Sequence, residues 1–295
     1  SVYNSVLRRE VWEVVRQLEE KKFHMEFMEE QEIFVPGRLC VLGEHTDWAA
    51  SYREIDESLP SGSAIICTTN EGIFARIKKI DRPIFEMKSV SEPQALSVDS
   101  GPDSVTKKQR TGSRGLTTSF DAVSLKIAAE DGGFYRYAAG TAMVLLQKYG
   151  DRVESGAGLA VDNHRTTLPV RKGLSSSAAV CCLVAKAFSA AFGLGLTAEE
   201  VMEAAYEGEL AAGSACGRLD QCCALGANAV GYMTFDGQEV SLFPVAPAAP
   251  LHFVVADVGG RKDTGAILRA LHGCYPPLRG AEPTQPPEVA AGFRA

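Results

Sequence analysis

The chain has no C-x-x-C pair, no apolar run of membrane-spanning length, no G-x-x-x-x-G-K-[ST] loop and no block of basic residues. Each absence removes a class. The eight cysteines are Cys40, Cys67, Cys181, Cys182, Cys216, Cys222, Cys223 and Cys274, several of them inside apolar runs. Without the paired spacing of a zinc site they read as buried free thiols of a reducing compartment. No signal peptide is visible, so the expected location is cytoplasmic, with no membrane partner. A net charge of −7 argues against a general nucleic-acid binder. An acidic protein can still hold phosphates where backbone amides and one or two cations gather them. Internal repeats are also missing, which excludes a solenoid.

What is present is an ordinary globular composition: 295 residues, 45% apolar and 23% charged, enough for one large domain or two moderate ones. Residues 3–22 carry a helical apolar spacing. Strands are expected at 32–42, 63–69, 73–80 and 157–163. Residues 89–120, with "SGPDSVTKKQRTGSRGLTTS", read as an insertion or long loop. "FYRYAAGTAMVLLQKYG" predicts a helix ending at Gly150, and "RKGLSSSAAVCCLVAKAFSAAFG" a turn feeding a helix that stops at Gly193. Thr197 opens the next helix through a capping box with Glu200, and Gly213 closes it. "AVGYMTFDGQEVSLF" carries the Asp-Gly signal of a hairpin. "LHFVVAD" predicts a further strand, with Asp263 capping a short helix after it. Mixed strands, helices and local hairpins indicate an α+β protein, not a doubly wound sheet.

Three stretches carry chemistry. In "VPGRLCVLGEHTDWAAS" an apolar strand breaks at Gly43 into Glu44, His45, Thr46 and Asp47, a delivery of polar groups that suits a polyhydroxylated or charged ligand. An ordinary polar turn is the alternative. "RKGLSSSAA" puts a glycine and three serines at a helix start, where free N–H groups and the dipole end bind phosphate. Here the alternative is a helix cap built from serines. "ACGRLDQCCALG" sets Asp220 in a polar break of a small, apolar segment. Taken singly, that carboxylate reads as a structural cap.

Together, "PGRLCVLGEHTD" at 36–47, "KGLSSSAA" at 172–179 and "CGRLDQ" at 216–221 resemble, in order and spacing, three motifs of one family. It is the GHMP kinase superfamily, named for its galacto-, homoserine, mevalonate and phosphomevalonate kinases. The GEHTD form favours the galactokinase-like sugar branch. The resemblance covers about residues 25–275. It implies a GHMP kinase fold. The N-terminal domain, at 25–245, would be of the ribosomal-protein-S5-domain-2-like type, with insertions near 49–61 and 89–120. A ferredoxin-like C-terminal domain would begin at 246–295.

The resemblance also implies roles. Asp220 would be the general base on a sugar hydroxyl and Arg38 its cationic neighbour. Glu44, His45 and Asp47 would bind sugar hydroxyls. Lys172, Gly173, Leu174, Ser175, Ser176, Ser177 and Ala178 would cradle the ATP phosphates. Ser177 and Glu209 would hold Mg²⁺, with Glu207 the competitor of Glu209. The implied activity is ATP-dependent phosphorylation of a monosaccharide, most simply at its anomeric hydroxyl. A catalytically silent sugar- and ATP-binding regulator is the alternative, and oligomeric state is left open. Where the family continues with a Tyr-Asn-Gly-Gly-like turn, this chain has Trp48-Ala49-Ala50-Ser51 and about a dozen extra residues before Gly62. Arabinose, a uronic acid, a heptose or a fucose-like sugar therefore fit as well as galactose. The adenine site falls near the 89–120 insertion and is unassigned. The family's third motif, G-x-G-F-G-G or similar, is not found, and the expectation is of a C-terminally truncated chain.

Overall fold

A computed structural model of the chain describes residues 30–54, 56–89, 115–168 and 174–249, together with 253 and 270. The predicted helix at 3–22, the strand "LHFVVAD" and the helix capped by Asp263 lie outside the described residues, except for single positions.

The spine of the fold is a mixed sheet. Strand β1 (Gln31–Leu42) pairs antiparallel with β2 (Gly62–Ile80). The first part of β2, Gly62–Cys67, pairs with β6 (Val230–Asp236), and its second part, Ile73–Ile80, with β5 (Gly158–Thr166). Strand β3 (Ile84–Ser89) lies parallel to β5 and antiparallel to β4 (Gly115–Ser119), while β7 (Glu239–Pro244) completes a hairpin with β6. One parallel pairing in an otherwise antiparallel sheet is the expected α+β arrangement.

The two strands expected at 63–69 and 73–80 are one. Asn70, Glu71 and Gly72 interrupt the apolar pattern, yet the strand runs on because partners on either side of the break hold it. The predicted loop at 89–120 is also corrected at its edges. Its first residue ends β3, and residues 115–119 form β4, so the stretch 90–114 joins two paired strands.

Five helices complete the described part: α1 (Thr46–Ala49), α2 (Ala122–Glu130), α3 (Arg136–Tyr149), α4 (Ser176–Ala191) and α5 (Ala198–Ala211). Helix α2 was not anticipated, although Asp121 caps it by accepting from the amides of Val123 and Ser124 at 3.1 and 2.9 Å. Helix α4 is buried on nearly every side, which is why it reads Ala-Ala-Val-Cys-Cys-Leu-Val-Ala with no polar stripe. Phe188 of α4 meets Phe120 and Phe192, and Phe120 stacks on Phe85 of β3. Each such side chain, once buried, contributes about 1.5–3 kcal/mol. The predicted capping box is present: Glu200 N donates to Thr197 Oγ1 at 3.2 Å, and Thr197 N to the Glu200 carboxylate at 2.8 Å. Helix α3 crosses α5 at near backbone contact, since a Cβ on Gly208 would collide with Thr141, and one on Gly140 with the Gly208 carbonyl. That close approach fixes the height of the next residue, Glu209, in the interior.

Among the described residues no helix is long and apolar enough to cross a membrane, and the seven described cysteines are free.

Candidate active site

Arg38 organises the site. It lies on β1 between two shifts of register against β2, one between Pro36 and Arg38 and one between Cys40 and Leu42. Such irregularities re-aim a strand's side chains. The guanidinium is buried, 5% exposed, and serves two carboxylates at once. Its two terminal nitrogens donate to the two oxygens of Glu44 at 2.8 and 2.9 Å. Its Nε donates to Asp220 Oδ1 at 2.8 Å, and one terminal nitrogen also bonds to that oxygen. Burial disfavours the guanidinium charge, but Asp220 and Glu44 outweigh it and hold the pKa above its ordinary value. Beside this pair, burial and the Glu44 charge push the Cys40 thiol up to about 12, so it is no thiolate nucleophile at neutral pH.

The turn after β1 is tight. His45 adopts a left-handed backbone (φ 72°, ψ 3°), uncommon outside glycine and costing of order 1 kcal/mol or more. Thr46 holds the turn with its hydroxyl on the carbonyls of Gly43 and Ser63, at 2.8 and 3.0 Å. Trp48, buried on α1, donates its indole N–H to His45 Nδ1 at 3.2 Å. Asp47 reaches the segment that carries Asp220, where it accepts from the Leu219 amide at 3.1 Å. Its pKa is raised, first by burial and then by the nearby Asp220 charge, with the Leu219 amide working the other way. Gly217 is glycine because a Cβ there would overlap the Asp47 carboxylate.

Asp220 begins a 3-10 helix (Asp220–Leu225) and its side chain is 28% exposed. The preceding loop is clamped by Arg218, which pairs with Glu203 and covers the Tyr206 ring at 4.1 Å. The next residue, Gln221, is fully buried and donates from Nε2 to Glu209 Oε2 at 3.0 Å. Glu209 on α5 is 2% exposed. Burial, and then the Asp220 charge, push its carboxyl up to about 7 against the bonds from Ser177, Gln221 and Cys216. Glu207, its sequence competitor, instead pairs with Lys148 at 2.6 Å on the surface.

Ser177 is thus brought to Glu209 at the first turn of α4. Ser175 has a left-handed backbone (φ 56°) and makes no side-chain cap bond, so the helix-cap alternative finds no support at the N-cap position. Ser176 and Ala178 stand in the same turn and Leu174 just before the N-cap, whereas Lys172 and Gly173 lie outside the described residues.

Arg38, Glu44, Asp47, Ser177, Glu209 and Asp220, far apart in sequence, are therefore joined by direct contacts or by the single steps through Leu219 and Gln221. A separate cavity lies elsewhere. It holds about 560 Å³ near Lys186, Gly193 and Val201 and shares no residue with this cluster. Charged groups converge at the cluster, whereas the cavity offers one lysine as its only charged side chain. Sequence reasoning passed over Gln221 and Trp48. The signals were a polar residue directly before Cys-Cys-Ala-Leu, and an indole one turn after His45.

Residues 136–227, from α3 through the 3-10 helix, match the family model of the GHMP kinases N terminal domain. Over that stretch the chain is similar to the N-terminal domain of GHMP kinases. The matched stretch contains Ser177, Glu209 and Asp220, and the fold adds Arg38, Glu44, His45 and Asp47 from outside it. No curated protein matches the chain. In fold, the chain is similar to Lactococcus lactis galactokinase solved with galactose, at 20% identity and TM-score 0.52, covering 79% of this chain and 52% of that one. It is similar to a D-glycero-D-manno-heptose 1-phosphate kinase from Bacteriodes thetaiotaomicron, at 20% identity and TM-score 0.52, with coverages of 73% and 60%. It is also similar to Methanococcus jannaschii mevalonate kinase, at 15% identity and TM-score 0.50, with coverages of 72% and 55%. The chain thus spans roughly half to three-fifths of the length of these solved relatives.

Proposed function

We propose that the chain supplies the sugar- and nucleotide-binding part of an ATP-dependent monosaccharide kinase of the galactokinase-like type, acting on the anomeric hydroxyl. The observation that carries this reading is the Arg38 guanidinium shared between Asp220 and Glu44. It ties the residue suited to accept a hydroxyl proton to the residues suited to orient a polyol.

In this reading Asp220 takes the proton of the acceptor hydroxyl as that oxygen attacks the γ-phosphorus of ATP. The bond to the β-phosphate oxygen breaks and ADP leaves. Arg38 holds Asp220 in place through its hydrogen bonds and lends positive charge beside the transferring group. Glu44, His45 and Asp47 orient the sugar, because carboxylates and imidazole align O–H groups. The amides at the start of α4 receive phosphate oxygens. Fold neighbours that act on sugars and on mevalonate are both present, and the Glu44, His45 and Asp47 group favours the sugar.

The donor set fits Mg²⁺. Glu209 and Ser177 offer hard oxygens, and the buried Gln221 Oε1 meets no hydrogen-bond partner among the described residues. Mg²⁺ is usually held by one or two carboxylates plus the substrate phosphates, so no cage of three acidic ligands is required. Glu209 and Ser177 would hold it. When bound it supplies charge neutralisation at the phosphates.

ADP release measured across a panel of monosaccharides, with mevalonate as control, tests the reading. One or a few sugars are expected to turn over, with Asp220→Asn lowering the rate by about 10²–10⁴ while ATP binding persists. The asparagine keeps an oxygen for Arg38, so folding is expected to survive. Binding of sugar and ATP without any ADP release would favour the silent regulator, and full turnover by Asp220→Asn would remove the general-base role.

A further inference from the structure

Trp48 bears on how the substrate is recognised. An indole N–H can only donate a hydrogen bond. It donates to His45 Nδ1 at 3.2 Å, so that ring nitrogen carries a lone pair and no proton. The proton of a neutral imidazole is then on Nε2. The arrangement is built. Trp48 is 8% exposed and packs with Tyr52 in its own small cluster, and the His45 and Trp48 rings stand 6.2 Å apart at 57°. His45 stands at the N-cap of the helix that carries the indole, with a left-handed backbone. A tyrosine at this position would not do the same, because a phenol can donate or accept and leaves both tautomers open.

We propose that Trp48 is a specificity-determining positioning residue: its N–H fixes His45 as an Nε2–H donor toward the substrate, beside the acceptors Glu44 and Asp47. The inference rests on the reading of residues 44–47 as the sugar pocket, and it deepens that reading. Glu44 and Asp47 ask the ligand for hydroxyl hydrogens. His45 asks for an oxygen with a free lone pair, which a hydroxyl, a ring oxygen or a carboxylate supplies. The ligand class is therefore a polyol that presents donors to two carboxylates and an acceptor to one imidazole.

The test begins with the 295-residue chain itself, labelled with ¹⁵N at its five histidines. Two-bond ¹H–¹⁵N correlation reads the tautomer of each ring, with His45→Ala giving the assignment. A pyridine-type Nδ1 and a pyrrole-type Nε2 are expected for His45. Trp48→Phe keeps an aromatic ring and removes the N–H, and it should let the two tautomers mix. Sugar KM should rise about fivefold to tenfold, the worth of one neutral hydrogen bond, with kcat and the KM for ATP unchanged. Should Trp48→Phe fold poorly, benzothienylalanine at Trp48, in a Trp12→Phe background, removes the N–H and keeps the shape. A protonated Nδ1 in the unaltered chain, or a tautomer indifferent to loss of the indole N–H, overturns the proposal. So does a tautomer that shifts while sugar KM stays constant. If no sugar turns over at all, the kinase reading fails, and the tautomer spectrum still decides whether Trp48 sets the donor.

Discussion

Replacing Glu209 by glutamine should make the protein more stable and, on the proposed reading, less able to hold Mg²⁺. The carboxyl is buried and its pKa lies at about 7 in the folded chain, against 4.5 for the ordinary side chain. A raised acid pKa means the folded state binds the extra proton between those two values. Stability is therefore highest below about pH 4.5, falls as pH rises toward about 7, and levels off above it. At about 1.4 kcal/mol per pH unit the loss comes to about 3.5 kcal/mol. Glutamine has nothing to ionise. Its carbonyl can take over the bond from Gln221 Nε2, and its NH₂ can meet Gln221 Oε1, which has no partner among the described residues. Melting curves from pH 5 to 9 without divalent cations should show Glu209→Gln above the parent at pH 8, by up to about 3.5 kcal/mol or roughly 7–14 °C. The two curves should converge near pH 5. Adding Mg²⁺ with ADP should then stabilise the parent and leave the variant almost unmoved. A variant that melts lower than the parent at pH 8, or a difference that ignores pH, refutes the reasoning.

Ser177→Ala should leave the melting temperature nearly unchanged, raise the Mg²⁺ concentration needed for half-maximal turnover, and combine non-additively with Glu209→Gln, since the two side chains touch. A loss of about 1 kcal/mol in stability with unchanged Mg²⁺ dependence would return the serine to helix capping. Glu44→Gln and Asp47→Asn keep oxygens for Arg38 and for the Leu219 amide, so both should fold. Each should weaken sugar binding by about 1–3 kcal/mol, read as sugar KM, with ATP affinity constant. A fall in nucleotide affinity at constant sugar KM would move the pocket to another part of the chain.

What the sequence made legible was local. The capping box at Thr197, the helix stops at Gly193 and Gly213, and the Asp236–Gly237 hairpin all depend on residues within a few positions, and all are present. What it hid was decided at a distance. Strand β2 passes through Asn70, Glu71 and Gly72 because β1, β5 and β6 pair with it on either side of the break. Strand β4 exists because β3 pairs with it across the stretch 90–114. Helix α2 leaves Val123 and Ile127 exposed while it buries Leu125 and Ala129, so its few apolar residues do not point one way. The choice between Glu207 and Glu209 is a matter of helix phase. Two residues turn the side chain about 200°, from Lys148 at the surface to Gln221 in the interior. Both residues are glutamate, so composition could not separate them. The meeting of Arg38 with Asp220, 182 residues apart, was legible only through the family resemblance.

The charge count of the cluster explains why its parts belong together. Four carboxylates, Glu44, Asp47, Glu209 and Asp220, face one guanidinium among the described residues. Arg38 is committed to Glu44 and Asp220. The two acids it does not reach, Asp47 and Glu209, are the two whose pKa values are raised, each by burial and then by Asp220. Repulsion between Asp220 and Glu209 can be relieved by a proton on Glu209 or by a cation held there. A proton would disable the metal ligand. A cation relieves the same strain and leaves Asp220 free to act as a base. On the proposed reading the two halves of the reaction are coupled through charge, since a cation at Glu209 and Ser177 offsets the repulsion between Glu209 and Asp220. Mg²⁺ with ADP should accordingly tighten sugar binding in the parent, and that coupling should vanish in Glu209→Gln. Sugar titrations with and without Mg²⁺ and ADP measure it, and equal affinities under both conditions would show that the two sites ignore each other.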